Sequence, residues 1–379
     1  MTAVSPVTAV EAIPVAYPEP NDHDAERHLC LVRIRDADGR TGWGEAVTMW
    51  PEASRATVEL VRGLGELVVG RDPVQVEAVW RDLREHGWWY GGAGIASFAV
   101  AAIDLALWDL RGQQLGRSLL DLLGGPVKER LPALASSHAT NASIDAMAEE
   151  IAGWVSGRAV GVKVGFGKRG DARLGYEHDR DVAFVEAVRG ALGPDASIMV
   201  DVGARIRWSV AEAVARTRAF EQHGIAWIEE PLGAEDPAGY ATLRAKTETL
   251  IAYGEREWNV RGLERIVASG TCDVAGIDPG RAEGVTGFLR AARAAEAAGT
   301  QVNAHSWSSA IVHSASLALS WALPHARQLE FKPLPNVMQH ELAGDGFQGP
   351  VDGAWPLPSG PGLGIEIDEA VLERFRLDR

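Results

Sequence analysis

The apolar and polar positions of this chain follow two rhythms, and the change falls near Lys128. Before it, Leu29–Arg35 alternates as a short strand, Asp36–Arg40 reads as a turn, and Thr41–Ala46 resumes an extended segment; this is a hairpin pattern. From about Ser54 the spacing turns helical, and Ala96–Arg111 is so apolar that the helix it predicts must be buried on most of its surface. Leu122-Leu123-Gly124-Gly125-Pro126 then stops that helix and makes a linker. After Lys128, short apolar runs (161–166, 197–200, 225–228, 250–253, 274–277, 301–304 and 327–329) alternate with helical stretches. Val210, Val214, Thr217 and Phe220 share one face of a helix over Ser209–His223, whereas alanines blur the period over Thr286–Gly299. About seven or eight such units at a near-constant period predict a closed (β/α) barrel rather than an open sheet. Beyond about Pro335 the alternation ends in a Gly- and Pro-rich tail with an extended piece at Leu363–Asp368.

Composition narrows the function classes. At 379 residues one core rarely suffices, so two domains or a barrel with an attachment are expected. The formal charge of −15 leaves no basic surplus to displace counterions, so nucleic acid and anionic membrane surfaces are not expected partners. No apolar run reaches the ~18 residues of a membrane span, and Met1–Ala12 lacks the basic start and apolar block of a leader. Cys30 and Cys272 lie too far apart in sequence to suggest a disulfide framework or a zinc knuckle. The expectation is an acidic cytoplasmic protein acting on a small molecule.

The chemistry is carried by the residue just beyond each apolar run. Asp201, Glu229, Glu255, Asp278, His305 and Glu330 come at successive run ends, spaced by roughly 25 residues, one strand–helix unit each. A barrel gathers the C-terminal ends of its strands into one site, so these six groups are expected to converge there. An acid at one strand end commonly does no more than cap the next helix; six in register argue for a site. Adjacent strands lie ~4.8 Å apart, so Asp201, Glu229 and Glu255 would repel one another unless a cation lay between them. An all-oxygen set with room for substrate suits Mg²⁺. Asp278 beside His305 would fix the imidazole tautomer and favour its protonated form, the arrangement of a tuned general base. Lys163, inside a strand, must face the helices or the barrel interior; inward, it needs carboxylates or a substrate anion to offset its burial. His313, His325 and His340 read as structural histidines. Gly165-Phe166-Gly167-Lys168-Arg169-Gly170 fits G-x-G-x-x-G after a strand and raises a dinucleotide-binding dehydrogenase as a rival, but no helical period comes directly after it.

Taken together, these residues resemble the mandelate racemase and muconate lactonising branch of the enolase superfamily over nearly the whole chain. The resemblance rests on Gly42-Trp43-Gly44-Glu45-Ala46, Ile103-Asp104-Leu105-Ala106-Leu107-Trp108-Asp109, Trp227-Ile228-Glu229-Glu230-Pro231, Gly254-Glu255, Asp278-Pro279-Gly280-Arg281 and Ala304-His305-Ser306-Trp307, in this order. It implies an α/β fold: a (β/α)₇β TIM-like barrel over 129–339, under an α+β capping domain formed by 1–128 and rejoined by the tail, 340–379. It also implies Asp201, Glu229 and Glu255 as Mg²⁺ ligands and His305–Asp278 as the dyad removing a proton α to a carboxylate. Glu330 would be the acid hydrogen-bonding that carboxylate, and the protein a homo-oligomer.

Two departures bear on the reaction. The family's Lys-x-Lys is here Lys163-Val164-Gly165, and its Asp-x-Asn is Asp201-Val202-Gly203. With one base identified, dehydration of an aldonate or aldarate to a 2-keto-3-deoxy acid is favoured. The alternatives are a racemase or epimerase of a 2-hydroxy or amino acid derivative, and a non-catalytic sugar-acid-binding barrel. Lys163 remains open between carboxylate binder and base. Tyr17–Asp24, with His23, and Val47–Pro51, with Trp50, are the expected lids, and Trp88, Trp89 and Tyr90 read as packing residues.

Overall fold

The computed structural model describes residues 5–378; residues 1–4 and 379 lie outside it, and with them the start of the stretch read for a leader. The chain opens with an antiparallel sheet of β1 (Val7–Glu19), β2 (Ala25–Asp36) and β3 (Thr41–Met49), in that order. The hydrophobic alternation predicts β2 and β3 but not β1, whose Pro14 and Pro18 argue against a strand. As the edge of the sheet, β1 tolerates them, because a missing N–H there breaks no central ladder.

Helices α1 (Pro51–Gly65) and α3 (Ile95–Leu115) cover this sheet, and α2 (Val76–His86) packs on α3. The predicted buried helix is α3, and glycines set how closely it packs. A Cβ at Gly42 or Gly44 would collide with the backbone carbonyl of Ala106 or Ala102, so α3 lies directly on β3. Asp109 on α3 accepts hydrogen bonds from the backbone N–H of Trp43 and of Leu363, both at 2.8 Å, joining sheet, helix and tail.

Eight parallel strands close the barrel: β4 (Leu131–Ser137), β5 (Gly161–Phe166), β6 (Ser197–Val202), β7 (Trp227–Glu229), β8 (Leu250–Tyr253), β9 (Val274–Ile277), β10 (Gln301–Ala304) and β11 (Ala326–Phe331). Each pairs with the next, and β11 returns to β4. The fold class read from the sequence is the one observed. β4 is the strand that the apolar runs leave out, because Pro132 and two serines dilute it. Inside the barrel, Leu134, Met199, Trp227, Ala252 and Val274 form a separate apolar cluster that fills its lower part.

The tail pairs Ala354–Trp355 antiparallel to β4, and Arg376–Leu377 reaches β1. Leu363–Asp368 forms no strand; its Leu363 N–H is taken by Asp109 instead of a neighbouring strand. Trp88 and Trp89 are 76% and 81% exposed, so they are not the packing residues their size suggests. Among the described residues no helix is long and apolar enough to cross a membrane.

Candidate active site

Strand alternation builds the site directly on that apolar layer. Two residues beyond Leu134, Met199 and Trp227 come Ser136, Asp201 and Glu229, which face the same interior one step nearer the C-terminal mouth. Asp201 and Glu229 are register partners on β6 and β7, and Gly165 is the partner of Asp201 on β5. Glu255 lies two residues past β8, Asp278 comes directly after β9, His305 directly after β10, and Glu330 lies within β11.

The six strand-end groups and Lys163 meet as alternating charges. Lys163 is buried between Glu229 (2.9 Å) and Glu330 (3.1 Å). Burial alone would depress its pKa, but Glu229, Glu330, Asp201 and Glu255 raise it well above the usual lysine value. Glu330 also accepts from the Ser306 backbone N–H at 3.1 Å. Burial raises its pKa, yet Lys163 and His305 outweigh that and hold it below the usual range. Lys163 and His305 thus favour the ionised form of Glu330, and the cationic donor beside it is Lys163.

Glu229 is pushed up to about 7, first by burial and then by Asp201, Glu255 and Glu330, against the pull of Lys163. Next to it Glu230, with φ 45°, pairs with Arg256 at 2.7 Å. Burial and Glu255 push Glu230 up to about 8, with Arg256 opposing.

His305 has a carboxylate on each nitrogen: Nδ1 is 2.6 Å from Asp278 Oδ2 and Nε2 is 3.2 Å from Glu255 Oε2. Arg281 Nε donates to Asp278 at 2.9 Å, so this carboxylate is fixed from two sides and held below its usual pKa despite burial. Burial pulls the His305 pKa down, but Glu255 and Asp278 outweigh it, and the imidazole ends above its ordinary value with Arg281 opposing. Glu255, for its part, is held far below the carboxylate range by His305, Arg281, Lys163 and Arg256, against burial.

Lys163, Asp201, Glu255, His305 and Glu330 line a cavity of about 900 Å³, bounded above by Asp22, Arg27 and Val47–Trp50 of the sheet domain. The cap is tied down by buried polar contacts. Glu45 on β3 accepts from the Ser308 and Ser309 hydroxyls, and Lys332 donates to Glu19 at 2.8 Å and to the Ser308 carbonyl at 2.9 Å. Trp50 lines the cavity and is half exposed. The His23 ring packs on Gly170 of the loop after β5, and the residue of that turn on the cavity wall is Asp22.

The strand-end pattern does not reach Lys168, His138, Arg256 and Arg281, which also line the cavity. For Lys168 the only sequence signal lies in the Gly-rich segment. That segment makes no phosphate cradle, since no helix begins before His178.

The donor chemistry fits a hard divalent cation: three carboxylates on consecutive strands, one of them pushed up to about 7 by burial and like-charged neighbours. Among the described residues, however, no three His, Cys, Asp or Glu side chains converge as a formed metal cluster. Asp201, Glu229 and Glu255 instead face Lys168, Lys163 and His305.

Known proteins share this construction. The description "Mandelate racemase / muconate lactonizing enzyme, N-terminal domain" matches residues 10–124, and "Enolase C-terminal domain-like" matches 146–371. The chain is 29% identical to D-galactarolactone cycloisomerase of Agrobacterium fabrum, covering 93% of this chain and 92% of that protein. It is 32% identical to D-galactonate dehydratase of Ralstonia nicotianae, covering 91% of each. The crystal structure of L-talarate dehydratase from a Polaromonas species, complexed with Mg and L-glucarate, superposes with a TM-score of 0.86 at 26% identity, over 99% of this chain and 98% of that one. The barrel and its cap thus have one source: the chain is an enzyme of the mandelate racemase / muconate lactonizing enzyme branch of the enolase superfamily.

Proposed function

We propose that the protein is a Mg²⁺-dependent acid-sugar dehydratase, a hydro-lyase converting an aldonate or aldarate into its 2-keto-3-deoxy acid. The observation that carries this reading is His305. Its imidazole is fixed by Asp278 at 2.6 Å and lines the cavity, with its other nitrogen 3.2 Å from Glu255. The names of the relatives, galactonate and talarate dehydratases among them, support the substrate class.

Asp278 accepts from Nδ1–H, so the lone pair of neutral His305 lies on Nε2. In the reaction Nε2 takes the proton from the carbon α to the substrate carboxylate, and the C–H electron pair moves onto that carboxylate as an enediolate. The pair then returns to form a carbon–carbon double bond while the β-hydroxyl leaves with the proton held by His305. One water is released, and the enol tautomerises to the keto acid. Lys163, anchored by Glu330, donates to the carboxylate oxygens as negative charge grows on them. Asp201, Glu229 and Glu255 would hold Mg²⁺, giving up their present cations. When bound, the ion supplies Lewis-acid stabilisation of the same oxygens. Trp50 and the cap exclude water above the sugar.

The test is a screen of aldonates and aldarates with Mg²⁺ for 2-keto-3-deoxy product, run beside α-proton exchange in D₂O. Wild type should form product and His305→Asn should lose it by at least ~10²-fold. Product from His305→Asn at the original rate would remove His305 from the mechanism. Lactone formation or opening instead of water loss would favour cycloisomerisation, the reaction in the name of the Agrobacterium relative.

A further inference from the structure

Two neighbouring strands leave the barrel wall bare near its mouth. Gly165 on β5 is the register partner of Asp201, and Gly203 comes just after β6. The side chain of Lys168, from the loop after β5, lies in the trough between them. A Cβ at Gly165 would stand 2.6 Å from Lys168 Cε and 3.0 Å from its Cγ; one at Gly203 would stand 3.2 Å from Cε and 3.3 Å from Cδ. A methyl at Gly165 would push Cε aside and one at Gly203 would crowd it, besides meeting the Phe166 carbonyl at 2.8 Å, so Lys168 takes this seat because both positions lack a side chain.

The seat holds a cation with donors to spare. Lys163 is 4% exposed and committed to two carboxylates, whereas Lys168 keeps a quarter of its side chain exposed and has one long contact, 3.4 Å to Asp201. It lines the same cavity as His305. In the closed eight-strand order β6 is four strands from β10 in either direction, so a group held at Asp201 faces His305 across the barrel mouth. Beside the trough is His138, stacked on Trp307 with ring centroids 5.1 Å apart and with its buried Nδ1 unpartnered, 2.9 Å from where a Cβ at Gly165 would be.

We propose that Lys168 is a substrate-contacting residue: its ammonium donates to a carboxylate oxygen of the bound acid from the wall facing His305, in a seat cleared by Gly165 and Gly203. The assignment rests on the acid-sugar reading above. It completes the grip on the substrate, with Lys163 below, His305 on one side and Lys168 on the other.

Kinetics of Lys168→Met, Lys168→Arg and Gly165→Ala test it, with Mg²⁺ saturating and its affinity measured separately by calorimetry. Lys168→Met should raise KM at least ~10-fold and lower kcat/KM ~10²-fold, with partial rescue in Lys168→Arg. Gly165→Ala should reproduce part of the loss with Lys168 intact, because its methyl displaces Cε. A Lys168 that only balances Asp201 would change Mg²⁺ affinity and leave the substrate KM at saturating Mg²⁺ untouched; that result overturns the assignment while the dehydratase reading stands. A wild type inert toward every acid sugar would overturn both. If Lys168→Met fails to fold, an unchanged KM in Gly165→Ala and Lys168→Arg is the refuting result.

Discussion

Asp278→Asn isolates what the carboxylate beside His305 does, because the amide keeps its shape and loses its charge. The bond at stake is short (2.6 Å), buried and charge-assisted, with Arg281 fixing the same carboxylate at 2.9 Å. Hydrogen bonds to charged groups contribute ~1.5–3 kcal/mol, which corresponds to ~10- to 100-fold in kcat/KM. Two unit charges ~3 Å apart at an effective dielectric of ~20 interact by ~5 kcal/mol, which sets the upper bound. Arg281 offsets part of it, since it lowers the His305 pKa that Asp278 raises. The same groups set the sign. Burial lowers the His305 pKa, Glu255 and Asp278 raise it further than that, and the net shift is upward. Removing the Asp278 charge brings it down, so the acid limb of kcat/KM should move to lower pH. The plateau above that limb should fall ~10- to 100-fold, because a weaker and less oriented base remains. The assay is product formation against pH at saturating Mg²⁺, with thermal unfolding as a control for the unpaired Arg281. A plateau within about twofold of wild type and an unmoved acid limb would refute the role given to Asp278.

Three further outcomes rest on named contacts. Glu229 has its pKa raised from 4.5 to about 7 by burial and its acidic neighbours, so the folded chain binds its proton more tightly than the unfolded chain. Between those values its contribution to stability should fall as pH rises, by up to ~3 kcal/mol. Wild type in EDTA should therefore lose stability relative to Glu229→Gln across that window, and Mg²⁺ should remove the difference; parallel urea-unfolding curves would sink the idea. Lys332→Met leaves Glu19 buried without its cation and should cost ~3–5 kcal/mol in urea unfolding, largely restored by adding Glu19→Gln. Trp50→Ala removes a half-exposed cavity wall and should raise the KM for the sugar acid several-fold with little change in unfolding temperature; an unchanged KM would take Trp50 out of the lid.

How far the sequence could be read depended on the distance over which each signal acts. Barrel strands announce themselves locally, as apolar runs with an ionisable residue just beyond, and the six strand-end groups were legible because one repeating unit places them all. β1 and β4 were not, since proline and serine break their alternation while edge position and barrel closure supply what the pattern lacks. The motif glycines Gly42 and Gly44 were legible as a family signature, but their cause is a contact with Ala102 and Ala106 on α3, far along the chain. Lys168 was hidden for a related reason. Its importance depends on two glycines on different strands, and a missing side chain carries no local signal. Ionisation tendencies were equally out of reach: the downward shift of the Glu330 pKa comes from Lys163 and His305, which other strands bring beside it.

The charges of the site also constrain the order in which it fills. Its acids are Asp201, Glu229, Glu230, Glu255, Asp278 and Glu330; its cations are Lys163, Lys168, Arg256, Arg281 and protonated His305. With every acid counted as ionised one negative charge is left over, and the raised pKa values of the neighbouring Glu229 and Glu230 mark where it is felt. A dication alone would turn that single negative into a single positive in a buried space, which is as unwelcome as the charge it replaced. A dication together with a monoanionic carboxylate leaves the site neutral. Metal and substrate should therefore reinforce each other, each tightening the other by the same factor, on the order of 10-fold or more for a coupling of ~1–3 kcal/mol. Calorimetric titration of Mg²⁺ with and without an unreactive acid-sugar analogue measures the factor, and the reverse titration must return the same value. A neutral sugar alcohol of the same size should produce no coupling, because it brings no charge. Equal Mg²⁺ affinity with and without the carboxylate would mean that the leftover charge is neutralised elsewhere, by a proton on Glu229 or Glu230 or by Arg27 on the cavity wall, and the proposed order would fail.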